Sequence, residues 1–211
     1  CKVDVLVVGG GPAGLATAIQ LKRRLRAAGR AESVAVIDKA PKLGYHCLSG
    51  ALFETDCLDR LIPEWKDDPG EFVAGMLQQR VERDALCFLT RRRKVFVPRA
   101  LLPSGMKHRG DSVISVSKLA AWLGQVAENL GVEIYAGFSA HGLLMDGAAV
   151  QGIVLGEKGL DRERRRRANY MPAESIQARL TVFADGAQGP LSTKLIETLK
   201  LFCDVVETQS F

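Results

Sequence analysis

Apolar residues along the chain switch between two periods. "VDVLVV" (residues 3–8) is a continuous β-branched run, the pattern of a strand buried on both faces of a parallel sheet. Residues 12–28 then favour helix, with Pro12 in the first turn and Gly29 closing the end. "SVAVID" (33–38) restores the buried-strand pattern, so the chain opens on a βαβ unit. "ETDCLDRLI" and "DPGEFVAGMLQQ" predict loops and short helices, and "LCFLT" and "KVFVP" predict strands flanking an arginine turn. "SVSKLAAWLGQVAENLG" (115–131) is amphipathic at helical spacing, capped by Ser115 or Ser117 and ended by Gly131. Residues 132–156 alternate around Asp146-Gly147, a strong hairpin-turn signal. Residues 157–173 are arginine-rich and without pattern, which predicts an exposed loop. "ESIQARLTVFADG" supplies two more strand stretches and "GPLSTKLIETLKL" (189–201) a final helix. The expected class is α/β, a βαβ fold with an added antiparallel hairpin layer.

Composition changes this picture little. The 211 residues are 47% apolar and 25% charged, ordinary for a globular protein with a real core. The net charge of +5 is concentrated: "DRERRRR" (161–167) carries +3 and "RRRK" (91–94) +4, leaving −2 for the remainder. Two local clusters without interleaved aromatics make no basic face for bases to stack on, so no nucleic-acid partner is expected. Cys1, Cys47, Cys57, Cys87 and Cys203 form no CxxC pair, and His46, His108 and His141 are dispersed, so no metal site is expected. Residues 3–21 hold one charge in 19, but their centre is "GGGPAG", and a strand followed by a helix explains the apolarity better than a membrane span. No basic leader precedes an apolar segment, and the chain is read as starting slightly inside its gene product.

The candidate chemistry lies at the first strand–helix junction. Gly9, Gly11 and Gly14 form GxGxxG there. The first glycine permits a tight turn, the second lets backbone approach a pyrophosphate, and the third lets helix pack on strand. The helix start adds unpaired N–H groups and a partial positive charge. Asp38 ends the second strand 24 positions after Gly14, where a carboxylate accepts from ribose hydroxyls and opposes a 2′-phosphate. These residues point to a dinucleotide other than NADP and leave NAD and FAD open.

"KLGYHCLSGAL" (42–52) sets His46, Cys47 and Ser49 between glycines. No third acid stands at a fixed spacing to orient a catalytic pair, so no catalytic residue is assigned. The block reads either as a packed loop or as the wall of a cofactor pocket.

"VVGGGPAGLATAIQLK", "GYHCLSGAL", "LIPEWK", "FLTRRRKVFVP", "LGVEIYAGFSA" and "FADGAQGPLSTKLIE" resemble, in that order, the N-terminal part of the electron transfer flavoprotein–ubiquinone oxidoreductase family. The resemblance implies FAD in a Rossmann-like fold, with Gly9, Gly11, Pro12, Ala13 and Gly14 at its pyrophosphate and Asp38 at its ribose. The implied cofactor-contacting set also takes in Lys39, and His46, Ser49 and Gly50 match a flavin-side loop. Asp185 and Gly186 match a returning acid–glycine element, with Asp where the family commonly has Glu. The implied activity passes electrons from reduced electron transfer flavoprotein to ubiquinone in the respiratory chain. The flavin does the redox work, so no acid–base triad is needed. A 4Fe-4S cluster is implied only for a C-terminal region that this chain lacks. The expected domain, 1–211, is thus an incomplete FAD-binding portion, binding FAD weakly and inactive in quinone reduction by itself. Two rivals stand beside this reading: a geranylgeranyl-reductase-like flavin-dependent reductase or hydroxylase, and a non-catalytic flavin- or membrane-binding module.

"FLTRRRKVFVPRALLPSGM" (88–106) mixes apolar residues with five basic ones and no acid. A hairpin with its apolar side packed inward and its arginines solvated explains this. Cations beside an apolar rim also suit a monotopic contact with anionic lipid. The matching family segment lies at the membrane surface, which favours lipid contact. Residues 84–113 are therefore a candidate membrane- or quinone-side insertion. The implied location is membrane-associated, at the cytoplasmic face of a bacterial inner membrane or at the mitochondrial inner membrane. Residues 162–167 are left as a solvated face.

Overall fold

The computed structural model describes residues 1–47, 50–68, 70–160, 163 and 165–201. The chain opens with β1 (Lys2–Val8), α1 (Pro12–Ala27) and β2 (Val34–Asp38). Pro12 occupies the first helical turn, and the stripe Gly14, Leu15, Ala18, Ile19 and Leu25 is buried. Then come β3 (Ala51–Phe53), α2 (Asp56–Leu61), α3 (Glu71–Gln78), β4 (Cys87–Leu89), β5 (Lys94–Phe96) and β6 (Ser112–Ile114). α4 (Val116–Asn129) and β7 (Glu133–Ala136) lead into β8 (Ala140–Asp146) and β9 (Ala149–Leu155). β10 (Lys158–Leu160), β11 (Arg166–Met171), β12 (Ser175–Phe183) and α5 (Pro190–Leu199) complete the described chain.

Two compact units result. The first joins Cys1–Cys47 to the chain from Ala120 onward, and the second is Leu48–Leu119. The first unit is built on a six-stranded sheet of order β7-β2-β1-β12-β9-β8. β7, β2, β1 and β12 run parallel, with Val5 opposite both Val34 and Leu180 and Asp38 opposite Ala136. β9 joins antiparallel, Ser175 opposite Val154 to Gln177 opposite Gly152. The apolar runs read from sequence form its core, where Leu6, Val7, Val34, Ala35 and Val36 are wholly buried. β1 leads to β2 on one side and has β12 on the other, so the strand order reverses there. The crevice outside the carboxyl ends of such strands is where this architecture takes ligands. The fold is α/β with a parallel Rossmann-like sheet.

Three expectations change. Residues 133–136 leave the alternating hairpin and pair parallel with β2, because the valine–isoleucine run of β2 is buried on both faces and takes a neighbour on each edge. Within the segment expected to be loop, β10 and β11 pair antiparallel, Lys158 opposite Met171. The Tyr170 hydroxyl of β11 donates across the pair to Glu157, just before β10, at 2.7 Å, and within β11 the Arg166 guanidinium lies 4.3 Å from the Tyr170 ring centre. The two stretches in "ESIQARLTVFADG" are one nine-residue strand, β12, which pairs with β1 from Gln177 to Phe183. The Asp146-Gly147 hairpin forms as expected, with Gly147 at φ +57°.

The second unit pairs β3 with β6 and β4 with β5. Its interior gathers Leu58, Ile62, Trp65, Val73, Met76 and Leu102, and the Trp65 indole donates to Asp59 at 2.8 Å. The segment 84–113 lies inside this unit. Among the described residues no helix is long and apolar enough to cross a membrane.

Candidate functional site

The glycine turn occupies the carboxyl end of β1, and each glycine there meets a different constraint. Gly9 has φ +113°, and a Cβ on it would stand 2.2 Å from the Ala184 carbonyl oxygen. β12 holds that carbonyl in place through Ala184 N–H donating to Val8 at 2.8 Å. A Cβ on Gly14 would come 2.0 Å from the Gly9 oxygen, so α1 seats directly on the turn. Gly11 differs: it caps α1 with φ −77°, and a Cβ there meets nothing within 4 Å. It faces open space. The first turn of α1 holds no acid, Pro12 has no N–H to give, and the amides of Ala13 and Gly14 have no intrahelical partner. A diphosphate fits this arrangement: an open glycine face beside unpaired amides at the positive end of a sixteen-residue helix.

Asp38 does more than end β2. Its Oδ2 accepts from Gly10 N–H at 2.7 Å and its Oδ1 from Ala40 N–H at 2.7 Å. The carboxylate therefore fixes the glycine turn, and each oxygen keeps a lone pair for a hydroxyl. Gly10 was not among the expected residues, though it closes this contact. A Cβ on it would meet Leu43 Cδ2 at 2.4 Å and Asp38 Cβ at 3.0 Å. The unbroken glycine triplet was the available signal. Lys39 is exposed.

After β2, residues 42–47 form two linked turns, Tyr45 N–H to Lys42 and Cys47 N–H to Gly44. His46 is exposed, its ring set edge-on to Tyr45 with centroids 5.5 Å apart. Burial, and then the nearby Asp38 charge, push the Cys47 thiol above its ordinary range. A protonated thiol is a poor nucleophile. Ser49 lies outside the described residues. Gly50 belongs to the second unit, with φ +86° and open space around it.

Asp185 follows β12, and its backbone N would lie 3.1 Å from a Cβ on Gly9. Its carboxylate turns to α5: Oδ2 accepts from Leu191 N–H at 3.0 Å and Ser192 N–H at 3.2 Å, and Oδ1 from the Ser192 hydroxyl. Gly189 makes room, since a Cβ there would stand 2.2 Å from Asp185 Cγ. This acid satisfies the positive end of α5, whereas that of α1 has no acid of its own. Gly186 has φ +91° and faces open space. The structure thus brings together the glycine turn, Asp38 and the Asp185–Gly186 backbone.

In the second unit, β4 and β5 form a hairpin whose turn is held by Arg93 N–H donating to the Thr90 hydroxyl at 2.9 Å. Phe88 is 68% exposed, Leu89 75%, Val95 53% and Phe96 59%. Neighbouring residues in a strand point to opposite faces, so both faces of this hairpin are apolar and uncovered. Of the two readings of this segment, the one with an apolar side packed inward does not match that exposure.

A model of the NAD(P)-binding Rossmann-like domain matches residues 7–61. Similarity to curated proteins runs much further. Electron transfer flavoprotein-ubiquinone oxidoreductase of Pseudomonas aeruginosa is 39% identical over 203 residues, 95% of this chain and 36% of that protein. The chain is homologous to electron transfer flavoprotein–ubiquinone oxidoreductase. The mitochondrial oxidoreductase of Dictyostelium discoideum is 37% identical over 100% of this chain and 33% of its own length. The chain spans about a third of the length of these relatives. Among solved structures, a geranylgeranyl bacteriochlorophyll reductase-like protein from Thermoplasma acidophilum superposes with a TM-score of 0.59 at 18% identity, covering 91% of this chain and 41% of that one. A flavoprotein/dehydrogenase from Cytophaga hutchinsonii gives 0.55 at 19% identity, covering 89% and 40%. These likenesses are of fold alone.

Proposed function

We propose that this chain is the FAD-binding portion of an oxidoreductase that takes electrons from reduced electron transfer flavoprotein and passes them to ubiquinone. The observation that carries the reading is 39% identity along 95% of the chain to a protein of that name. Its site supports a dinucleotide without a 2′-phosphate, because Asp38 stands where such a phosphate would be repelled. In this reading Gly9, Gly11, Pro12, Ala13 and Gly14 hold the diphosphate, and Asp38 with Lys39 the ribose. His46, Asp185 and Gly186 are assigned to the flavin side. Bound FAD supplies the electron chemistry, and the protein binds, orients and shields it.

The exposed hairpin adds a second part to the proposal. Phe88, Leu89, Val95 and Phe96 enter the interface of a membrane, and Arg91 to Lys94 meet anionic headgroups, so the protein is monotopic. A 4Fe-4S relay, where present, falls to residues outside those described, among which no group of three or more His, Cys, Asp or Glu is arranged for a metal.

A segment exchange tests the function. This chain replaces the matching segment of the Pseudomonas aeruginosa enzyme, and quinone reduction by reduced electron transfer flavoprotein is assayed. The expected chimera holds FAD and turns over. One that folds and holds FAD, yet takes no electrons from that donor, sinks the proposal and leaves another flavin reductase or a non-catalytic module.

A further inference from the structure

The carboxyl end of β7 is laid against the acid end of β2. Gly137 N–H donates to Ala40 at 2.7 Å and Phe138 N–H to Asp38 at 2.9 Å, which carries the parallel pairing past the sheet. A side chain from β10 reaches this place. The Lys158 ammonium stands 4.8 Å from the centre of the Phe138 ring, and a Cβ on Gly137 would come within 3.1 Å of it. Phe138 packs against the core of the sheet, so the lysine rests on a fixed platform. No carboxylate pairs with Lys158 among the described residues. A cation held on an aromatic ring, with no ionic partner among the described residues, has donors to spare.

A dinucleotide with its diphosphate on α1 and its ribose on Asp38 extends its adenosine across β2 towards β7. Asp38 opposes a further phosphate there, so the group that meets the ammonium is the neutral base. Adenine offers ring-nitrogen acceptors and a π face, both of which suit an ammonium.

We propose that Lys158, seated on Phe138 and Gly137, is a specificity-determining residue for the adenosine half of the dinucleotide. The inference rests on the dinucleotide reading of the glycine turn. It comes from spatial convergence, since β10 lies in the segment whose sequence carries no pattern.

Titration of the full chain and its variants with ADP and with inorganic diphosphate tests the assignment. Lys158→Gln is expected to weaken ADP about 3- to 10-fold, as for an exposed charge-assisted contact, and to leave diphosphate unchanged. Lys158→Arg is expected to stay within about twofold of the parent for ADP, because it keeps a donor over the ring. Lys158→Met keeps the apolar stem over Phe138 and controls for stability, and it should lose ADP affinity like the glutamine variant with an unchanged melting temperature. ADP binding by Lys158→Gln equal to the parent's overturns the proposal. So does an equal loss for ADP and diphosphate, which marks a general field at the phosphates. A parent chain that binds neither probe overturns the dinucleotide reading itself.

Discussion

At the scale of single residues, the glycines of the turn separate into those that the fold needs and one that faces open space. Gly9 and Gly14 face backbone atoms at 2.2 and 2.0 Å from an added Cβ, so neither accepts a side chain without moving α1 or β12. Gly11 faces open space at an ordinary φ. Gly11→Val should therefore melt within about 1 kcal/mol of the parent. It should also lose FAD affinity about tenfold or more, because the side chain fills the diphosphate path. Gly14→Ala should lose stability whether or not FAD is present. Thermal melts paired with flavin-fluorescence titration check both, and a Gly11→Val variant that binds FAD like the parent removes the diphosphate from this turn. Asp38 has a structural duty beside its proposed contact with ribose. Asp38→Ala leaves the Gly10 and Ala40 amides unpaired and should destabilise the apo chain by about 1–3 kcal/mol, which ribose binding alone does not predict. The motif spacing singled out Gly11 and Asp38, which the structure sets at one turn with Gly11 facing open space. It was silent on Gly10 and on the clamp, because a hydrogen bond across 28 residues leaves no mark on local pattern.

At the scale of elements, legibility followed burial. β1, β2, α1 and α4 were readable because each presents a long apolar face to the core. β7 is only four residues long, and its alternation matched the neighbouring hairpin as well as a parallel strand. β10 and β11 escaped because exposed positions carry no apolar period, and what joins them is backbone pairing and the Tyr170–Glu157 contact. α5 was read from its helical pattern, but not the manner of its start. Its N-cap is Gly189, and Asp185 supplies the acceptors from four residues earlier. Asp185→Ala should therefore unseat the first turn of α5 and cost about 1–2 kcal/mol of stability, while Asp185→Asn, which keeps an acceptor, should recover most of it. Urea unfolding distinguishes this from a role confined to the cofactor, which would lower FAD affinity and leave the apo chain unchanged.

At the scale of the whole molecule, the chain has a net charge of +5, of which the "RRRK" turn alone supplies +4. That turn tips a hairpin apolar on both faces, so charge and greasy surface coincide on one element of the second unit. Water solvates arginines readily but has no favourable account of Phe88, Leu89, Val95 and Phe96 uncovered together. A headgroup layer satisfies both, since each cation near anionic lipid is worth roughly 1 kcal/mol and each apolar side chain gains by leaving water. The two contributions differ in their response to salt, because screening at about 0.1 M ionic strength reaches only ~10 Å. Replacing Arg91, Arg92, Arg93 and Lys94 by glutamine should weaken co-sedimentation with phosphatidylserine-containing vesicles about tenfold or more at low salt, and by less at high salt. Replacing Leu89 and Phe96 by serine should weaken it at both. If both variants sediment like the parent, the hairpin is not the membrane contact, and its exposed residues await a protein surface instead.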